Sequence, residues 1–245
     1  MKNIDLKVPA DRQSLQAFRP DLALISPRSI AHIKGECTVR QLLPGIFHLV
    51  MANQRELAQM FLRFQEYSES PFFRGRIFTL GEYKAWYTRV QGQFSYYEDW
   101  AGFNIPSRVF APFYRKEFKY QTRREKMMLD LFQGVEGRFY VIGTYEGDRP
   151  ETLKHELAHG LFFTSDAYRD EVRRAMFGVP TTKFSRKLAV GYHPAVFEDE
   201  IHAYLLTDAS YLLHKRELET TLPVMTKLAE IFARYSGIKP SNLVL

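Results

Sequence analysis

Cysteine is nearly absent: Cys37 stands alone among 245 residues. No internal disulfide can form, and a lone thiol fits a reducing compartment. Long hydrophobic runs are missing too. The richest apolar stretches, LLPGIFHLVM and AYLLTDASYLL, are interrupted and fall short of the roughly 20 residues of a membrane span. The opening MKNIDLKVPADRQSLQAF holds no apolar run of signal-peptide length. Repeats and low-complexity segments are also lacking. These absences set aside disulfide-stapled, membrane-embedded and solenoid classes. The expectation is a soluble, cytoplasmic chain with no membrane partner.

Acidic residues are outnumbered, 28 against 34 Lys and Arg, giving a net charge of +6 and a pI near 9.3. Much of the excess lies in YRKEFKYQTRREK, where Arg115, Lys116, Lys119, Arg123, Arg124 and Lys126 crowd together. Clustered cations of this kind suit phosphates. The run leads into MMLDLF, however, so a solvated face on an amphipathic helix is the stronger reading of residues 115–126 and nucleic acid the weaker one.

Apolar residues make up 45% of the chain and aromatics 15%, which calls for a packed core of mixed architecture. Prolines at 9, 20, 27 and 44 break the first 45 residues into irregular chain. Helical spacing runs from Phe47 to Tyr67. RIFTL and QFSYY read as short strands, GEYKAWYTRV as a helix, and DWAGFNIPS as a loop that forms either a substrate wall or a buried aromatic turn. The basic helix extends to about Gln133. RFYVIGTY, Arg138 to Tyr145, has the β-rich composition of a strand. The tail helix PVMTKLAEIFARYSG could pack internally or form an interface, and internal packing is the expectation.

The segment ETLKHELAHGLFF follows that strand directly. Asp148 stands as N-cap, Pro150 in the first turn and Glu151 three residues after the cap. His155 and His159 are one helical turn apart, so both imidazoles can address one point, as two ligands of a tetrahedral ion must. Glu156 lies about 100° round the helix, beside that point. Leu153, Leu157 and Leu161 form a separate core stripe.

A third ligand is sought in HPAVFEDEIHAYLLTDASYLL, where Glu198, Asp199, Glu200 and His202 crowd together. Within about 60° of Glu200 on the helical wheel lie Val196, Phe197, Ala203, Tyr204 and Thr207. A carboxylate on such an apolar face needs a cation or hydrogen bonds. Glu200 is therefore the preferred ligand and His202 the alternative. Glu198 or Asp199 could accept the spare ring N–H of a ligand histidine, and Glu198 with His202 forms a further i,i+4 pair.

With HELAH on one helix and a glutamate on a later one, residues 138–211 resemble the HExxH zinc metallopeptidases, in particular the gluzincins. The resemblance implies an α+β fold: a mostly helical, zincin-like catalytic region and a small sheet whose edge strand precedes the HExxH helix. The unassigned N-terminal lobe is 1–134 and the catalytic lobe 135–245, together one compact unit. It further implies Zn2+ held by His155, His159 and Glu200, with Glu156 as the base that activates water. Tyr192 and His193 of VGYHP are implied as oxyanion donors, and the strand from Arg138 as a docking edge for an extended peptide or protein substrate. Two features depart from the family: Asp199 stands where it has asparagine before the glutamate, and the gap from His159 to Glu200 is longer than in thermolysin-like enzymes.

The leading expectation is a zinc-dependent peptidase. The alternatives are a catalytically silent regulatory protein on the same fold and a nucleic-acid binder using residues 115–126.

Overall fold

A four-stranded mixed sheet organises the chain, and helices cover both of its faces. The structure, a computed structural model, describes residues 37–179 and 181–238. The strands are β1 (Cys37–Leu43), β2 (Ile46–Met51), β3 (Phe103–Pro106) and β4 (Tyr140–Tyr145), in spatial order β1-β2-β4-β3. β1 and β2 form an antiparallel hairpin, β2 and β4 run parallel, and β3 closes the sheet antiparallel to β4. A parallel pair needs a long crossover. Here the crossover holds α1 (Gln54–Glu69), α2 (Leu80–Gln91), α3 (Tyr96–Asp99), α4 (Phe110–Tyr114) and α5 (Arg123–Phe132), with β3 lying between α3 and α4.

The fold is therefore α+β, as expected, but β4 is an interior strand. Both of its edges are paired, so it cannot dock a peptide; the edge beside the HExxH helix belongs to β3. β3 arises inside DWAGFNIPS, where a loop is expected. Its four residues are all buried, so no polar alternation marks it.

Other elements differ for local reasons. Residues 46–51 are a strand rather than the start of a helix: five of the six are buried, and an apolar run covered on both faces carries no period-two signal. Asn53 then caps α1 by accepting from the Glu56 N–H. RIFTL is not a strand, because Thr79 and Glu82 make a capping box that starts α2 at Leu80, whereas GEYKAWYTRV is helical as read. In QFSYY, Tyr96 and Tyr97 open α3 within an aromatic cluster. The basic run is no single helix: Lys116 and Tyr120 have φ of 59° and 52°, and a Thr122–Glu125 box restarts the chain as α5. Of the irregular opening, residues 1–36 lie outside the described residues, and 37–43 form β1.

One core lies between the sheet and α1. Phe64 stacks on Phe113 at 3.9 Å between ring centroids, and Phe113 on Phe118 at 4.0 Å. Arg63 and Glu125, both buried, join α1 to α5 through paired contacts of 2.6 Å. The second core covers the face that presents Tyr140 and Ile142. It is built by α6 (Pro150–Thr164), α7 (Asp166–Ala175), α8 (Thr182–Leu188), α9 (Phe197–Thr207), α10 (Ala209–Leu212) and α11 (Lys215–Ser236). The tail helix α11 packs inward through Leu228, Ile231 and Phe232. The sheet is common to both regions, since β1, β2 and β3 precede residue 135 and β4 follows it. Among the described residues no helix is long and apolar enough to cross a membrane.

Candidate metal centre

α6 leaves β4 through a short turn and lies flat on the sheet. A Cβ at Gly160 would come within 3.2 Å of Ile46 and 3.3 Å of Tyr140, so glycine permits this close approach. Leu157 and Leu161 are buried in the second core and Leu153 packs against it, as the stripe implies. The cap differs by one residue. Arg149 occupies the N-cap position without a side-chain cap, while Asp148 accepts from the Arg149 N–H at 2.7 Å and the Thr152 hydroxyl at 3.1 Å.

α6 and α9 pack directly on each other, with the buried Ala203 in the second core. His155, His159 and Glu200 consequently converge, each offering one ligand atom within 4.8 Å of the others. The His155 and His159 Nε2 atoms are 3.2 Å apart; Glu200 lies 4.0 Å from the first and 3.7 Å from the second.

The surroundings fix both tautomers. The Thr207 hydroxyl donates to the Ala203 carbonyl at 2.8 Å, so it accepts from His155 Nδ1 at 2.9 Å. The Asp199 carboxylate lies 2.9 Å from His159 Nδ1. Both Nε2 lone pairs therefore point inward, and lone pairs this close need a cation between them, a proton or a metal ion.

The electrostatics agree with that need. Burial, and after it His159, lowers His155 well below the usual imidazole range. Burial opposes the charge on His159 as well, but Asp199 and Glu200 outweigh it and raise His159 well above that range. Burial pushes Glu200 up to about 8, against the pull of His159. Burial also opposes ionisation of Asp199, yet His159 and His202 hold it at about 2. Glu200 is 2% exposed, and its Oε2 has no hydrogen-bond partner. A buried carboxylate with an orphaned oxygen, set against two imidazole lone pairs, suits a divalent ion.

Glu156 sits beside this point. Tyr140 donates to Asn104 Oδ1 at 2.5 Å, and Asn104 Nδ2 donates to Glu156 Oε2 at 2.7 Å. A Cβ at Gly102 would fall 2.7 Å from Glu156 Oε1, so this carboxylate reaches its position only past a glycine. Burial raises the Glu156 pKa, opposed by His159 and by the Asn104 hydrogen bond.

These groups line a cleft of about 330 Å³. Tyr192 lines it as well, its hydroxyl 3.4 Å from that of Tyr204. His193 is not among the lining residues; its Nδ1 accepts from the Ala195 N–H at 3.1 Å and caps the 3-10 turn before α9. His202 is fully buried behind Asp199, with Nε2 2.9 Å from the Tyr168 hydroxyl and its ring stacked on Phe162. Glu198 does not pair with His202; it is exposed and takes Arg173 through contacts of 2.9 and 2.8 Å.

Sequence reasoning missed the contributions from before residue 135. Gln65 and Glu69 of α1, with Trp100, Gly102 and Asn104 around β3, form the opposite wall. The available signals were polar residues within the apolar FLRFQEYSE and the wall alternative for DWAGFNIPS. Tyr204 also lines the cleft, its ring 4.7 Å from that of His155; its helical phase with Glu200 announced this. No protein-family model, curated protein or solved structure matches the chain.

Proposed function

We propose that the chain is a zinc-dependent metallopeptidase, with His155, His159 and Glu200 as ligands and Glu156 as general base. The observation that carries this reading is the convergence of two tautomer-fixed imidazoles and an orphaned buried carboxylate oxygen beside a clamped glutamate in one cleft. Zinc bound there supplies Lewis acidity, polarising a scissile carbonyl and making water acidic enough to attack near neutral pH.

The chain's own groups do the rest. Thr207 and Asp199 hold the imidazoles in the ligating tautomer. Asn104 occupies Glu156 Oε2, which leaves Oε1 to take a proton from the attacking water and deliver it to the leaving amine. A pKa raised by burial suits a carboxylate that must act as base and then acid. The Tyr192 and Tyr204 hydroxyls offer donors to the developing oxyanion. The Asn104 clamp favours an active enzyme over a silent regulator, and the lone Cys37 fits a reducing, cytoplasmic setting.

A broad peptide mixture incubated with the zinc-loaded protein, its products read by mass spectrometry, tests the reading. Cleavage is expected, with a loss of roughly 10²–10⁴-fold in Glu156→Gln at unchanged zinc content. Absence of any cleavage by the zinc-loaded wild type would refute it.

A further inference from the structure

The cleft has exposed lining residues, Arg149, Glu151 and Asp208, and a more buried inner end lined by Glu69 with the half-buried Gln65, Trp100 and Tyr192. A recess of about 20 Å³ shares Gln65, Glu69, Trp100 and Tyr192 with that inner end and is also lined by Glu66. A space of roughly 10–15 Å³ accepts one water molecule, and an ammonium group is of similar size.

We propose that this inner end is a subsite for the α-ammonium group of a peptide substrate, so that the chain releases single residues from free N-termini. The inference rests on the peptidase reading above. Three observations carry it.

The first is a buried carboxylate set among other carboxylates. Glu69 is 8% exposed, and its carboxylate accepts from Gln65 Nε2 at 2.5 Å. Its charged neighbours are mainly other carboxylates: Glu200, Glu156 and Asp199 repel its charge, and His159 attracts it. Glu69, Glu156 and Glu200 all line the cleft. A divalent ion balances two of these carboxylates, and the third calls for another cation.

The second is the state of the β3 edge. An internal segment of a long peptide would dock by pairing with that edge. The outward Asn104 N–H is already taken by Gln65 Oε1 at 3.0 Å, and Pro106, two residues on, has no N–H to give. Gln65 thus closes the edge with one end of its amide and orients Glu69 with the other.

The third is donor capacity without a partner. Trp100 Nε1 is buried and unpaired, and Trp100 borders both the cleft and the recess. An incoming backbone carbonyl supplies the missing acceptor.

The chemistry balances with water alone. Water adds to the carbonyl of the first peptide bond and the C–N bond breaks. The products are one free amino acid and a shortened peptide whose new amine takes the proton from Glu156.

The test separates binding from turnover. Zinc-loaded Glu156→Gln protein is titrated by calorimetry with a trialanine peptide and with its N-acetylated form. The free amine is expected to bind about 10- to 100-fold more tightly, and adding Glu69→Gln should abolish the difference at unchanged zinc content. Equal binding of the two peptides by the Glu156→Gln protein overturns the inference, even if the Glu69 variant does not fold. Cleavage by the wild type is read separately. Products from N-acetylated peptides would overturn the N-terminal specificity and leave the peptidase reading standing, whereas no product from any peptide removes the peptidase reading.

Discussion

Asn104 is the residue whose loss is most informative, because it connects the fold to the chemistry. It is 4% exposed and stands between Tyr140 and Glu156, themselves 3% and 6% exposed. Replacing Asn104 by alanine removes a donor from Glu156 Oε2 and an acceptor from the Tyr140 hydroxyl. Each buried group left unpaired costs about 1–3 kcal/mol, so a stability loss of about 2–6 kcal/mol follows. A hydrogen bond to a charged group contributes about 1.5–3 kcal/mol, which translates into a kcat lower by about 10- to 100-fold. Zinc content should not change, because the hydrogen bonds of Asn104 go to Gln65, Tyr140 and Glu156 and not to a proposed ligand. Asn104→Asp should be worse, since a second carboxylate against Glu156 raises its pKa further and moves the acid limb of the rate profile to higher pH. Urea unfolding, elemental zinc analysis and kcat against pH read these effects together. An Asn104→Ala protein that keeps zinc and full kcat would refute the assignment of Asn104 as the clamp on Glu156.

Other perturbations have equally definite outcomes. Zinc must displace protons from His159, raised well above its usual value, and from Glu200, raised to about 8, so affinity should fall as pH drops below about 8. The fall is about tenfold per pH unit for each proton displaced; a pH-independent Kd between 6 and 8, measured with a competing chelator, would contradict it. Gly102→Ala would place a methyl group 2.5 Å from Thr152 Cγ2 and 2.7 Å from Glu156 Oε1, displacing the base. Its kcat should fall with zinc retained, and unaltered kinetics would show that the wall yields. Glu125→Ala strands the buried Arg63 guanidinium and should cost about 3–5 kcal/mol in denaturant unfolding. A loss below about 1 kcal/mol, the range of exposed pairs, would show that Arg63 finds another partner.

The convergence of the proposed ligands is legible in the sequence because helical geometry is local. His155, Glu156 and His159 are placed by one turn of α6, and the phase of α9 singled out Glu200 from its neighbours without any knowledge of α6. Asp199 is one of two candidates for the carboxylate beside a histidine of HELAH, and only the packing of α9 on α6, which brings it to His159, decides between it and Glu198. The opposite wall was not legible, because it depends on pairing distant in sequence. β3 is four buried residues inside a Gly-, Asn- and Pro-rich stretch, and only its pairing with β4 makes it a strand. The same pairing turns β4 from an edge into an interior strand. Gln65 and Glu69 read as ordinary polar positions on an amphipathic helix until the cleft brings them opposite His159. The His193 assignment came from resemblance alone, and the cap it forms on the turn before α9 takes its Nδ1 instead.

The central claim is that His155, His159 and Glu200 hold one zinc ion. Elemental mass spectrometry on protein purified without added metal, with Glu200→Ala and His202→Ala prepared in parallel, tests it most directly. The expected result is about one zinc per chain in the wild type and in His202→Ala, and clear loss in Glu200→Ala. Zinc retained in full by Glu200→Ala would move the third ligand elsewhere, and no zinc in the wild type even after reconstitution would contradict the account outright.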